Sequence, residues 1–184
     1  MGDEESTARG LQKRDPEAWA EVYEKYFSRV YRYIALRVGD RTEAEDLAGQ
    51  VFLKALESIS SFNWRGVPVS AWLFRIAHNQ VIDHWRTDKA KLHSLLEEWL
   101  VSDDMDPVLE AERSLDIRQV VQAVGQLTQA QREVIELRFA GELSTAEVAK
   151  VLGKSQGAVK VLQHSALVAL RKRLSSEKSH EEDL

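Results

Sequence analysis

The stretch Ser144-Thr145-Ala146-Glu147-Val148-Ala149-Lys150-Val151-Leu152-Gly153-Lys154-Ser155-Gln156-Gly157-Ala158-Val159-Lys160-Val161-Leu162-Gln163-His164 decides the fold class. Ala149, Gly153, Val159 and Leu162 have helix-turn-helix spacing: a small residue where two helices cross, a glycine for the left-handed turn, and apolar residues that seat the second helix. Ser144 caps the first helix and Ser155 can cap the second. Between its buried positions the second helix presents Ser155, Gln156, Ala158, Lys160, Gln163 and His164, followed by Arg171, Lys172 and Arg173. From Lys154 to Ser176 there are five Lys or Arg and no acid. Short and amide side chains suit base edges in a major groove, and Lys and Arg suit phosphates.

Outward from this segment the chain reads as helical throughout. Gly and Pro together number 12 of 184 residues, too few to supply the turns of a β-protein. Asp15-Pro16 and Asp106-Pro107 each place a cap before a proline at the first helical position. Thr42 with Glu45, Thr128 with Gln131, and Ser144 with Glu147 have capping-box spacing. Gly39, Gly66, Gly125, Gly141 and Gly153 each follow a helical stretch. Trp19, Val22, Tyr23, Tyr26, Phe27 and Val30 form one apolar stripe. Leu47, Val51, Leu53, Ala55 and Leu56 surround most of a second helix, which predicts a central position. A third helix runs from about Val69 to Lys91 and turns basic at its end.

The expected architecture is all-α, with two small helical domains joined by an acidic linker. Residues 1–9 are expected to be disordered, 10–91 form the first domain, 92–106 an amphipathic helix and linker, 107–174 the second domain, and 175–184 a disordered acidic tail. Leu92, Leu95, Leu96, Trp99 and Leu100 have amphipathic spacing and dock either on the first domain or on a partner.

Composition excludes several function classes. Without cysteine there is no disulfide, thiolate zinc site or Cys nucleophile. No phosphate loop or His-Glu-x-x-His pair exists, and His78 and His84 are six residues apart, too far around a helix to converge on a metal. Neither an enzyme nor a cofactor is expected. The acidic start Met1-Gly2-Asp3-Glu4-Glu5 is unlike a secretion signal, and no run of 18 apolar residues occurs, so a cytoplasmic chain without membrane insertion is expected. The net charge of −5 disfavours nucleic acid only superficially. Residues 3–5 carry −3, residues 97–116 carry −7 and residues 177–184 carry −3, which leaves +8 on the remainder.

A second nucleic-acid signal surrounds the third helix. Phe62, Asn63, Trp64 and Arg65 precede Gly66, and Trp72, Arg75, His78, Asn79, Trp85 and Arg86 follow. Rings interleaved with amides and guanidinium groups suit unstacked bases of a single strand. Trp72 and Ile76 also fit a core face, and Asp83 with Arg86 an ordinary surface pair.

The whole chain resembles the sigma-70 family of bacterial RNA polymerase sigma factors, specifically the small extracytoplasmic-function (ECF) group that keeps regions 2 and 4. Ala44-Glu45-Asp46-Leu47 with Val51-Phe52-Leu53-Lys54-Ala55 is similar to the family's polymerase-binding helix. Trp72-Leu73-Phe74-Arg75-Ile76-Ala77, Asn79, Asp83 and Arg86 are similar to its −10 helix. Gln131-Arg132-Glu133-Val134-Ile135, Leu137-Arg138, Ser144, Glu147-Val148-Ala149 and Gly157-x-Val159-Lys160 resemble its −35 domain.

The resemblance implies that Asp46, Leu47, Gln50, Val51 and Lys54 bind the clamp helices of the polymerase core's largest subunit. It implies that the loop Asn63 to Ser70, with Trp64 and Arg65, captures an extruded −10 base, with Arg75, His78, Asn79 and Arg86 on the unpaired strand. Residues Ser155 to His164 would enter the −35 groove, with Arg132 and Arg171 on phosphates. It further implies promoter DNA and an anti-sigma factor as partners, with the acidic linker threading toward the polymerase active-site and RNA-exit path. Two positions depart from the pattern: Gly49-Gln50 stands where the family usually has Gln-Glu, and Ser165 where it commonly has Arg. The rival readings are a stand-alone helix-turn-helix repressor or activator and a sigma-like protein that sequesters a partner.

Overall fold

A computed structural model describes residues 2–63, 66–87, 119–120 and 122–181. All regular elements among them are helical. The first unit comprises α1 (Gly2–Gln12), α2 (Pro16–Val38), α3 (Arg41–Ser58), a 3-10 turn (Ile59–Ser61) and α4 (Val69–Thr87). The second has helical residues at 122–125, then α5 (Gln129–Phe139), α6 (Thr145–Leu152) and α7 (Gln156–Glu181). The amphipathic stretch 92–100, the acidic segment 97–116, the Asp106-Pro107 cap, Trp64 and Arg65 lie outside the described residues.

Most helix ends form where the caps place them. The Asp15 carboxylate accepts the Glu17 N–H at 3.2 Å, with Pro16 opening α2. Both halves of the capping box are made at Thr128 and Gln131 and again at Ser144 and Glu147. Gly39 (φ 79°) and Gly153 (φ 62°) end α2 and α6 in the left-handed conformation that a side chain resists. At α3 the cap is Asp40, not Thr42: its carboxylate accepts the Glu43 N–H at 2.8 Å. Asp caps at least as well as Thr and comes first after the Gly39 turn, so Thr42 and Glu45 fall inside the helix.

Among the described residues, helix extends into the segments 2–9 and 175–181. Residues expected to be disordered at the N-terminus form α1, because Ala8 and Leu11, three apart, bury completely against the first unit. The tie is close: a Cβ on Gly10 would meet that of Ala18 at 2.7 Å. The tail continues α7 as far as Glu181, with no Pro, and no Gly after Gly157, to stop it. Helix α3 is one-sided. Ala44, Leu47, Ala48, Val51, Phe52 and Ala55 are buried, but Leu53 is 62 % exposed and Leu56 also faces outward.

The two units do not have separate cores. The main apolar cluster runs from Val30, Tyr33 and Phe74 into Val134, Leu137, Leu143 and Val148 of the second unit. A smaller cluster of Leu127, Ile135 and Ala166 lies within the second unit alone. The junction is formed by α2 and α4 on one side and by α5, the turn after it and α6 on the other.

Candidate nucleic-acid interface

The turn at Gly153 sets α7 at an angle to α6, and the Ser155 hydroxyl accepts the Ala158 N–H at 3.1 Å. Val159 and Ala166 are buried and Leu162 is half-buried, so these positions anchor α7. Gln156, Lys160, His164 and Arg171 are exposed. Spaced i, i+4, i+8 and i+15, they share one face of the helix, a single stripe of one amide, one imidazole and two cations. Ala158 is exposed but points roughly away from that stripe.

Two expected members of this face are engaged elsewhere. The Gln163 carbonyl oxygen accepts from Arg138 Nε at 3.2 Å, which turns the amide toward α5. Arg132 Nη2 donates to the carbonyls of Leu127, at 3.2 Å, and Gly125, so its guanidinium closes the end of the preceding helical segment instead of standing free for a phosphate. Ser165 accepts from Gln131 Nε2 at 3.1 Å and donates to the Leu162 carbonyl at 3.0 Å. The hydroxyl thereby ties α7 to the capping box of α5.

Helix α4 divides the expected single-strand residues between two faces. Arg75, Asn79 and Arg86 are exposed at i, i+4 and i+11 and form one stripe. Asn63 is exposed at the start of the preceding loop. Arg86 lies 3.8 Å from Asp83 with both side chains largely in water, a pair worth little. Ser70, by contrast, is only 3 % exposed, and its hydroxyl donates to the Glu147 carboxylate of α6. His78 is half-buried, with Nδ1 3.0 Å from the Tyr33 hydroxyl. Burial, reinforced by nearby Arg37, holds its pKa below the ordinary imidazole value.

The rings of Phe62, Trp72 and Trp85 are structural. Phe62 is buried and stacks on Trp72 with centroids 4.4 Å apart. Trp85 donates to the Arg37 carbonyl at 3.3 Å, and its ring lies 4.6 Å from the Arg37 guanidinium. These rings pack the helix instead of offering free faces to bases. Helix α1, which no spacing signal tied to this loop, also contributes: Gln12 Nε2 donates to the Phe62 carbonyl at 2.9 Å and holds the stem of the loop that follows.

On α3, Asp46, Gln50 and Lys54 are exposed along one stripe. Val51 is fully buried and Leu47 is 8 % exposed, so these two are core residues that position the stripe and cannot reach a partner. Leu53, Leu56 and the 44 % exposed Tyr23, whose ring packs 4.9 Å from Phe52, are apolar side chains that face outward. Buried Gln80 of α4, also missed in the sequence, accepts from Lys54 and donates to Gln50 at 3.2 Å, setting both side chains.

The junction between the units holds a buried charge cluster. Arg37, its side chain 1 % exposed, places Nη1 3.3 Å from Glu136 Oε2 and Nη2 3.9 Å from Glu133 Oε1. Its Nη1 also donates to the Tyr33 hydroxyl at 3.1 Å. Burial raises the Glu136 carboxyl to about 7, against the opposing pull of Arg37 and Arg132. For Glu147, burial also works against the charge, but hydrogen bonds from Ser144 and Ser70 outweigh it and hold the pKa below the ordinary carboxylate value.

Among the described residues no group of His, Cys, Asp and Glu could hold a metal ion, and no helix is long and apolar enough to cross a membrane.

Comparison with known proteins identifies the family of the chain. The profile of sigma-70 region 2 matches residues 22–91 and that of sigma-70 region 4 matches residues 123–172. The ECF RNA polymerase sigma factor BldN of Streptomyces coelicolor is 39% identical over 168 residues, which cover 89% of this chain and 62% of BldN. The chain therefore spans less than two thirds of that relative. The ECF RNA polymerase sigma factor SigX of Bacillus subtilis is 32% identical, with 83% of this chain and 81% of SigX covered. Among solved structures, the sigma factor RpoE of Bartonella quintana in complex with the anti-sigma factor NepR shares the fold at a TM-score of 0.62, with 24% identity and coverage of 85% and 96%. With regions 2 and 4 matched in order and ECF factors similar over most of its length, the chain belongs to the sigma-70 family, in its ECF group.

Proposed function

We propose that this chain is an alternative sigma factor that binds RNA polymerase core, reads the −35 and −10 elements of promoters and assists melting to initiate transcription. The observation that carries the reading is the presence of two separate exposed faces suited to nucleic acid in one chain. They are the Gln156, Lys160, His164 and Arg171 stripe on α7 and the Arg75, Asn79 and Arg86 stripe on α4. A stand-alone repressor needs only the first.

In this reading α7 lies in the −35 major groove. Gln156 contacts a base edge, Lys160 and Arg171 contact phosphates, and each specific base contact discriminates by about 1–3 kcal/mol. The α4 stripe holds the unpaired −10 strand after melting. Unstacking a base costs a few kcal/mol, which loop and polymerase contacts must offset. Asp46, Gln50 and Lys54, with Leu53 and Leu56 beside them, bind the clamp helices. The chain works in the cytoplasm, performs no covalent chemistry and is held inactive by an anti-sigma factor.

Run-off transcription with purified core polymerase tests this reading. The full chain directs initiation from its own promoters, and transcription fails with core alone. Folded chain that neither retains core in a pull-down nor yields a transcript refutes it. Palindromic duplex binding without core would instead indicate the repressor.

A further inference from the structure

Val161 is the most exposed large apolar side chain among the described residues, at 69 %. It stands in the second turn of α7, between the Lys160 and His164 stripe and the exposed Ala158 that the stripe leaves out. A single exposed valine needs no explanation by itself. Gly157, one turn before it, does. It lies in the first turn of α7, where glycine weakens a helix relative to alanine. Its φ is not positive, and a Cβ there would meet only the Ser155 hydroxyl at 3.9 Å, an ordinary contact. Neither backbone conformation nor packing within the chain calls for a missing side chain. Its absence serves something outside the chain, by letting another molecule come close to the helix backbone.

The surroundings say what that molecule is. Gly157 and Val161 are i, i+4 neighbours on the side of α7 that carries Lys160 and His164, so the apolar position continues the face already read as the −35 surface. From Lys154 to Ser176 there is no acid, which suits a polyanion and disfavours a cationic partner. The opening turns of a helix in the major groove reach base edges, and the apolar group a base pair presents there is the C5-methyl of thymine.

We infer that Val161 is a specificity-determining residue: its methyl groups pack on the C5-methyl of one −35 thymine, and Gly157 lets the helix backbone approach closely enough for that contact. The inference rests on the reading of α7 as the −35 helix. It adds to hydrogen bonding by Gln156 a second, purely apolar means of choosing a base.

Holoenzyme assembled from core polymerase and the full chain is used to select promoter duplexes from a pool randomised across the −35 segment. Each thymine of the selected sequence is then replaced by uracil, which removes only the methyl group. At one thymine, uracil weakens binding about fourfold, the worth of one buried methyl. Val161→Ser, a change at an exposed site between residues of similar helix propensity, binds the thymine and uracil duplexes equally. Val168→Ser, at another exposed valine two turns further along, keeps the fourfold difference. Gly157→Leu weakens binding to every duplex without lowering Tm. A selected sequence without thymine, no uracil penalty, or a penalty that survives Val161→Ser overturns the inference, and the −35 reading stands if Lys160→Ala still weakens binding. Unchanged affinity in Gly157→Leu overturns the close approach. No enrichment over core alone overturns the −35 reading and the inference together.

Discussion

Two glycines provide a sharp test of the packed junction. Gly141 has no positive φ, so alanine costs its backbone nothing, and the whole effect of Gly141→Ala is steric. The new Cβ would stand 2.7 Å from the Leu137 carbonyl oxygen and 2.8 Å from the Phe74 ring. Neither neighbour yields easily. That carbonyl already accepts the Leu143 N–H at 3.1 Å, and Phe74 is completely buried. Overpacking of this kind costs about 1–3 kcal/mol, and for a chain of this size each kcal/mol lowers Tm by roughly 2–4 °C. Gly49 is the control: it lies inside α3, and a Cβ there meets nothing within 4 Å. Gly49→Ala should therefore stabilise by about 0.5–1 kcal/mol through helix propensity. Thermal unfolding followed by circular dichroism should move the two variants in opposite directions. If Gly141→Ala leaves Tm unchanged while Gly49→Ala raises it, the second unit does not rest on Phe74 in solution.

Three further outcomes follow from the site. The Glu136 carboxyl has a pKa of about 7 in the folded chain, above its ordinary value of 4.5, so folding takes up a proton. The contribution is complete below the ordinary value and declines as pH climbs to about 7. This group should lower folding stability by about 1 kcal/mol between pH 6.5 and 8, and Glu136→Gln should reduce that slope in urea unfolding followed by circular dichroism; identical pH slopes in the natural chain and the variant contradict it. Arg37, Glu133 and Arg132 are the charged groups that act on Glu136, and the lowered pKa of His78 works in the opposite direction and offsets part of the slope. On α7, Lys160→Ala should weaken binding to every −35 sequence, whereas Gln156→Ala should change base preference by about 1–3 kcal/mol at one position; uniform losses from both would remove Gln156 from base reading. Gln12→Ala removes the hydrogen bond to the Phe62 carbonyl, worth about 1 kcal/mol. It should reduce permanganate reactivity of melted thymines at a promoter the holoenzyme opens, with −35 duplex binding intact, and full reactivity would refute a positioning role for α1.

The helix borders and the helix-turn-helix were legible in the sequence because their causes are local. A cap satisfies an N–H two or three residues away, as at Asp15, Thr128 and Ser144, and Gly153 supplies its turn by itself. The exposed stripe on α7 was legible for the same reason, since helical spacing alone aligns Gln156 with Lys160, whereas Asp46, Gln50 and Lys54 of α3 were singled out only through the family resemblance. Where two local signals compete, as at Asp40 and Thr42, spacing alone does not choose between them, and Asp40 takes the cap.

Tertiary structure alone decided which polar groups were already spoken for. Ser70 answers to Glu147, Gln163 to Arg138, His78 to Tyr33 and Gln12 to Phe62, and none of those partners lies within a helical turn of the residue it engages. The sequence by itself determined two sets of helices and the polar spacing along α7 and α4. That the two sets share one core, and that Arg37 spends its charge on Glu133 and Glu136 of the other unit, rests on close approach of distant segments, which no spacing along the chain encodes.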